Sequence, residues 1–341
     1  MSTVADLGEF GLIARLTEEL AARADVLLGV GDDAAVLDVG NAAEVVVVTC
    51  DAQVEGTHFR WGHATPEEIG RRALSVNVSD IAAMGAAPRF ALISLLVPPT
   101  LDVAVLDGIY AGLRQAAADY GVAIVGGNVA RLAERLVLDV TLLGMGKRGH
   151  VLRRDGARPG NVLLVTGTVG SAAAGLRLLE DHELLARVAP EIAAPLLAAQ
   201  RTPTARVAAG QWLAQHGATA ALDISDGLAG DLAHLCAASK MGAVINDDAL
   251  PMRRETRIIA EIIGCAATDF ALWGGEDYEL LFTVPAEQAA QCAADLLAAT
   301  GTPATEIGTI QAERTLAHAH AGLVMPLIGV GWDHLHASEV Y

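Results

Sequence analysis

Ten residues at positions 223–232, DISDGLAGDL, carry three aspartates beside a glycine turn, in a chain otherwise rich in Ala, Val and Leu. One carboxylate there has a local use, because Ser225 or Asp226 can accept backbone N–H groups at a helix start. Capping does not need three. The same chemistry recurs where other apolar runs give way to turns: Asp32 and Asp33 in GVGDDAAVLD, Asp51 closing AEVVVVTCD, Asp80 in VNVSDIAAMG, and Asn128 closing VAIVGGN. Any one of these is ordinary turn chemistry. Asp80 differs, since it falls among Val, Ile, Ala and Met in a helical pattern, where a lone carboxylate is costly and calls for a partner or a metal. Asn77, three residues earlier, shares its helix face. The acids together call for a positive partner.

The elements that must position these residues alternate in period. EFGLIARLTEELAARA has helical spacing, and AEVVVVTCD is a β-branched run of strand length. TPEEIGRRALSVNVSDIAAMGA opens on a Thr-Pro-Glu-Glu helix start and ends at a glycine. RFALISLLV, VAIVGG and RLVLDVTLLGMG read as strands, and LDVAVLDGIYAGLRQAAADYG as the helix between the first two. A second series follows, with strands VLLVTG, TAALDIS, GAVIN and DYELLFTV, and helices after TVGSAAAG, TPTARV and DISDG. The fold class is α/β, of mixed α+β character, in two domains. The polar, glycine-rich stretch KRGHVLRRDGARPGN places the division at 1–147 and 148–341.

Composition narrows the partners. With 341 residues, 52% of them hydrophobic, the chain has enough apolar surface for a large core. A net charge of −18 argues against nucleic acid, which needs a basic stripe. Cys50, Cys236, Cys265 and Cys292 are scattered with no C-x-x-C pair, as expected of reduced thiols in the cytoplasm. The N-terminal residues lack the basic segment and apolar run of a signal peptide, and no stretch is long and uncharged enough to span a membrane.

The blocks GDDAAVL, DAQVEGTHF, ALSVNVSDIAAMGAAP, DISDGL and GGEDYELLFTVP occur in the order found in thiamine-monophosphate kinases and span nearly the whole chain. By this resemblance the chain is similar to a family within the superfamily of aminoimidazole ribonucleotide synthetase. The resemblance implies two α/β domains, a homodimer formed through the first, and ATP bound without a P-loop. No G-x-x-x-x-G-K-[ST] occurs in the chain, which agrees. It also implies transfer of a phosphoryl group from ATP to thiamine monophosphate with several Mg²⁺ ions. The metal set it implies is Asp33, Thr49, Cys50, Asp51, Asp80, Asn128, Asp223 and Asp226. Gly127, Asn128, Arg154 and Ser225 would meet ATP; Asp51, Asp223, Asp226 and Arg154 would act in the transfer; His58, Glu276 and Trp332 would hold the thiamine end.

At Asn128 the chain departs from the resemblance, because an aspartate is expected there; an amide oxygen can ligate Mg²⁺ but brings no charge. Cys50 stands where a hydroxyl or other small residue is common, and reads as a small buried residue. Residues 166–175, TGTVGSAAAG, form a glycine turn into a helix, an anion site or simply a tight turn. Two other readings stand beside the kinase. One is a related ATP-dependent enzyme of the superfamily with another acceptor, such as the selenium enzyme with its reactive N-terminal cysteine or the dehydratase ending in cysteine. The other is an ATP-binding regulatory protein with impaired catalysis, for which Asn128 would be the evidence.

Overall fold

A computed structural model describes residues 3–328 together with Gly331, Trp332 and Leu335. The first half contains α1 (Val4–Thr17), β1 (Val26–Leu28), β2 (Ala35–Leu37), β3 (Glu44–Val54), α2 (Pro66–Ala83), β4 (Ala87–Val97), α3 (Val103–Tyr120), β5 (Ala123–Arg131) and β6 (Val137–Lys147). Its strands form a sheet in the order β1-β2-β3-β6-β4-β5, antiparallel except for the β4–β5 pair.

The second half contains β7 (Asn161–Thr166), α4 (Ser171–Glu180), α5 (His182–Arg187), α6 (Pro190–Arg201), α7 (Val207–Leu213), β8 (Ala220–Asp223) and α8 (Leu228–Ser239). It continues with β9 (Gly242–Asn246), α9 (Arg254–Ile263), α10 (Ala267–Trp273), β10 (Leu280–Pro285), α11 (Ala289–Thr300), β11 (Ala304–Gln311), β12 (Leu316–His320) and β13 (Leu323–Pro326). These strands run β13-β12-β9-β11-β7-β10-β8 in a second sheet, where only β12 and β9 are parallel. Among the described residues, no helix is long and apolar enough to cross a membrane.

The mixed α/β expectation holds, and so do most of the expected elements. Helix α1 is shorter than its pattern: it ends at Thr17, and Gly8 breaks it with φ 66°. The acidic and alanine-rich stretch after Thr17 has few buried side chains to hold it helical.

Helix α2 organises the molecule. Its start is a capping box: the Glu68 N–H donates to Thr65 Oγ1, the Thr65 N–H donates to Glu68 Oε2, and Pro66 occupies the first turn. The helix is buried nearly all round, because it packs on β3 and β6 on one side, on α3 on another, and reaches β8 and α7 of the second half. Close approach to α3 depends on two glycines. A Cβ on Gly70 would stand 1.9 Å from the Ile109 carbonyl oxygen, and one on Gly112 would stand 1.8 Å from that of Glu67. Neither obstacle is a flexible side chain. Gly112→Ala is expected to destabilise the protein by about 3 kcal/mol, since the two helices must move apart along their contact. A thermal melt unchanged from wild type would contradict this reading of the helix crossing.

Candidate active site

Strand β3 presents alternate residues to opposite faces of its sheet. Thr49 and Asp51 point inward to α2, and Cys50 points outward. Inside, Thr49 Oγ1 donates to Asp80 Oδ2 at 2.5 Å, and the Asp51 N–H donates to Asn77 Oδ1 at 3.1 Å. One turn of α2 therefore fixes both the side chain of Asp80 and the backbone of Asp51. Ser79 on the same helix donates to Asp223 Oδ2 at 2.5 Å, so α2 also reaches the end of β8 in the other sheet.

Asp33 and Arg154 complete the group. The Arg154 guanidinium pairs with Asp33, whose side chain is only 1% exposed, and the Arg154 N–H donates to Asp32 Oδ2 at 3.1 Å. A single 3₁₀ turn, Arg154–Gly156, carries the arginine, and Ser239 Oγ at the end of α8 ties it down by donating to the Arg154 carbonyl oxygen at 2.7 Å.

These acids are electrostatic neighbours. Burial raises Asp33 to about 7, with Asp223 adding to the shift and Arg154 opposing it. Burial also raises Asp223 to about 6, against the Ser79 hydrogen bond and Arg154 and with help from Asp51 and Asp226. Asp226 rises to about 7 through burial and then the nearby Glu9. Asp80 is pushed well above the usual carboxylate range by burial, then by Asp51, Asp223 and Asp33. Such a group binds protons or cations in preference to standing ionised. Asp33 Oδ2 is buried and has no partner among the described residues. No three His, Cys, Asp or Glu side chains among these residues converge closely enough to hold one ion by themselves.

Three readings of the acid loops change. Asp51 and Asn128 are not at strand ends: β3 pairs with β6 as far as Val54, and β5 follows β4 to Arg131. Cys50 is exposed, because strand alternation turns it away from Thr49 and Asp51. It lies within hydrogen-bond distance of Asp139, its Sγ 3.0 Å from Oδ1, and is in register with Thr141. Asn128 is in register with Ser94, which is in register with Asp139, so Asn128 shares that outer face with Cys50. The structure thus separates Cys50 and Asn128 from the inner group of Asp33, Thr49, Asp51, Asp80, Asp223 and Asp226. Gly127 is in register with Ile93 and, across it, with Val140 and Asp51; its φ of 156° favours glycine, and a Cβ there would sit 1.8 Å from the Ile93 carbonyl oxygen.

The DISDG cap also differs from its reading. Gly227 is the N-cap of α8 with no side-chain bond, and the Asp226 N–H donates to Asp231 Oδ2 at 3.1 Å. The third aspartate thus folds back to hold the loop, while Asp223 and Asp226 face the group.

A second assembly lies beside the first. A cleft of about 400 Å³ is lined by His58, Glu276 and Trp332, three residues far apart in sequence. His58 Nδ1 accepts the Val54 N–H at 3.1 Å, so its neutral ring carries the proton on Nε2. Glu276 sits in the turn 274–279, where Gly275, Glu276 and Tyr278 have φ of 67°, 62° and 51°. Left-handed backbone at two non-glycine residues is held by side-chain anchors. Glu276 pairs with Arg72, and its Oε2 accepts from Gln200 Nε2 at 2.7 Å. Asp277 accepts the N–H groups of Gly170 and Ala172, at 2.7 and 3.3 Å. The start of α4 is therefore filled by the protein's own carboxylate, and the anion reading of TGTVGSAAAG gives way to an internal cap. Glu279 accepts two bonds from Arg206 and one from Thr166.

The two assemblies share a backbone. The Glu276 N–H donates to the Ser225 carbonyl oxygen at 2.7 Å, and the Trp332 N–H donates to that of Asp226 at 3.2 Å. Arg72, Gln200, Ser79 and Asp139 were not singled out from the sequence. Arg72 had a signal: it is a charge inside the same apolar helical pattern as Asp80, and the cost argument applies to both.

The description "AIR synthase related protein, N-terminal domain" matches residues 31–146, and "AIR synthase related protein, C-terminal domain" matches 158–320. The two halves are thus those of an AIR synthase related protein. A thiamine-monophosphate kinase of Aquifex aeolicus is 37% identical over 83% of this chain and 88% of its own length. A solved structure, "AaThiL complexed with AMPPCP and TMP", superposes with a TM-score of 0.85 at 34% identity, covering 98% of this chain and 99% of that one. Hydrogenase maturation protein HypE, at 20% identity over 97% of both chains and a TM-score of 0.69, shares the fold alone. The chain belongs to the thiamine-monophosphate kinase family.

Proposed function

We propose that the protein transfers the γ-phosphoryl group of ATP to thiamine monophosphate, giving thiamine diphosphate and ADP, with Mg²⁺ at the aspartate group. The observation that carries this reading is the joint at residues 225 and 226: one short loop supports Glu276 and Trp332 of the cleft and also presents Asp226 to the acids. An acceptor held in the cleft would have its phosphate directed at the acid group. The solved relative with AMPPCP, an ATP analogue, and TMP supports the same pair of substrates.

The donors fit Mg²⁺. They are oxygens, several are held above their ordinary pKa by burial, and one carboxylate oxygen of Asp33 has no partner. Mg²⁺ commonly takes only one or two protein carboxylates and fills its octahedron with water and substrate phosphates, so a preformed cage of three is not needed. Asp33, Asp51, Asp80, Asp223 and Asp226, with the Thr49 hydroxyl, would hold it. When bound, it would neutralise the phosphates of two anionic substrates and the charge that develops on transfer. Arg154, already committed to the acids, would add positive charge on the same side. The inward direction of Thr49 and Asp51 is fixed by β3, and that of Asp80 and Ser79 by α2, so alignment comes from rigid elements. Cys50, Gly127 and Asn128, with Asp139 close by, remain the residues that the resemblance gives to ATP and to a further metal ion.

The outer face of the first sheet exposes Phe90 and Leu92 at 47% and 40%, an apolar pair that suits a homodimer formed through this half. The division at 1–147 and 148–341 and a cytoplasmic location complete the proposal.

No strong general base is needed, because a phosphate monoester with a second pKa near 6 is largely dianionic at neutral pH. Unphosphorylated thiamine offers a neutral hydroxyl and would need one. The protein is therefore expected to phosphorylate thiamine monophosphate and to leave thiamine unchanged under the same conditions. Comparable turnover of thiamine, followed by chromatography of the products, would contradict the proposed acceptor.

A further inference from the structure

Gln200, in the last turn of α6, lines the cleft, is 7% exposed, and has two amide atoms that are unequally provided for. Its Nε2 donates to Glu276 Oε2 at 2.7 Å. Its Oε1 is buried and has no partner among the described residues. The amide cannot relieve this by turning over, because Oε1 would then face a carboxylate oxygen. Glu276 is held in turn by the buried Arg72, which pairs with it, donates to the Gln200 carbonyl oxygen and lies 5.9 Å over the Tyr278 ring. A chain of charges on α2, α6 and the 274–279 segment thus leaves one unsatisfied acceptor buried in the wall of the cleft that Gln200 lines. Leaving such an acceptor unpaired costs about 1–3 kcal/mol, which a ligand donor restores.

This inference rests on the thiamine monophosphate reading. In that substrate the hydroxyl is esterified, both pyrimidine ring nitrogens are acceptors and the thiazolium has no N–H. The amino group on the pyrimidine is its only N–H donor. We infer that Gln200 is a specificity-determining residue whose side-chain oxygen accepts a hydrogen bond from the pyrimidine amino group of the substrate, with Glu276 and Arg72 locking the amide in the accepting orientation. The phosphate and the pyrimidine are at opposite ends of the molecule, which agrees with Gln200 standing one side chain beyond Glu276 from the 225–226 loop.

The test compares thiamine monophosphate with its 4-oxo analogue, in which a carbonyl replaces the amino group and the neighbouring ring nitrogen carries a proton. The analogue sets oxygen against oxygen at Gln200. Wild type is expected to favour the amino substrate on the order of 10²-fold or more in kcat/KM, as sites built for one hydrogen bond do. In Gln200→Leu and Gln200→Met the preference should fall to roughly tenfold or less, since neither side chain has an acceptor to satisfy or to repel. A merely structural role for Gln200 would depress both substrates equally and leave their ratio intact. Two variants are used so that a folding failure of one leaves the ratio measurable in the other. Retention of the wild-type ratio in a folded variant overturns the inference, and so does a wild type that uses both substrates equally. Failure of wild type to phosphorylate thiamine monophosphate would instead overturn the proposed function.

Discussion

Asp223→Asn is expected to lower turnover by a factor on the order of 10³ and to leave the fold at least as stable at pH 8. The carboxylate ends β8, is 4% exposed and has its pKa raised to about 6, first by burial and then by Asp51 and Asp226, against Ser79 and Arg154. Its one clear protein donor is the Ser79 hydroxyl at 2.5 Å, and an asparagine carbonyl oxygen can accept that bond as well. The substitution removes a negative charge without removing volume or stranding Ser79. Stability therefore gains from relief of repulsion, while the site loses charge that it needs to hold Mg²⁺ against two anionic substrates. Asp51→Asn should act in the same direction. Opposite movement of activity and melting temperature separates this account from a structural one, in which the two would fall together. A folded Asp223→Asn variant with near-normal turnover at limiting Mg²⁺ would remove Asp223 from the site.

The second large effect concerns pH and Mg²⁺ in the absence of nucleotide. Asp33, Asp226 and Asp223 have folded pKa values of about 7, 7 and 6, above the ordinary 3.8, with burial the largest cause. Between these limits the folded chain binds more protons than the unfolded one, so stability falls as pH rises from about 4 to about 7. What these groups contribute is complete below pH 4 and lost above their folded values. Mg²⁺ competes with the same protons and relieves the same repulsion. Its stabilising effect should therefore be small near pH 5 and large near pH 8, read as the rise in melting temperature on adding millimolar Mg²⁺. An equal rise at both values would mean that Mg²⁺ acts elsewhere on this acidic protein. No rise at pH 8 would mean that the acids do not bind it without nucleotide.

Much of this arrangement could be read before the fold was known, for identifiable reasons. Asp80 betrayed itself by its type, since a carboxylate in an apolar helix must have a partner, and it has Thr49. Asp33, Asp223 and Asp226 were marked by lying where apolar runs meet turns, and the two sheets bring those places together; Asp51 was marked in the same way but lies inside β3. Side-chain face was harder. Cys50 and Asn128 were grouped with the other ligands by position in a motif, yet strand alternation puts them on the outer face, and the lengths of β3 and β5 are set by pairing with distant strands. Gln200 was not legible at all: its meaning depends on Glu276, 76 residues away, and on an acceptor left without a donor. The anion site at 166–175 failed for the same reason, because Asp277 lies over a hundred residues away in sequence and fills it.

In the proposed function one loop joins an acceptor cleft to a phosphoryl-transfer site. Incubation of the purified protein with ATP labelled in the γ-phosphate, Mg²⁺ and thiamine monophosphate tests it most directly. The label is expected in the terminal phosphate of thiamine diphosphate, in step with ADP. Label released only as inorganic phosphate, or ADP formed at the same rate without thiamine monophosphate, would contradict it.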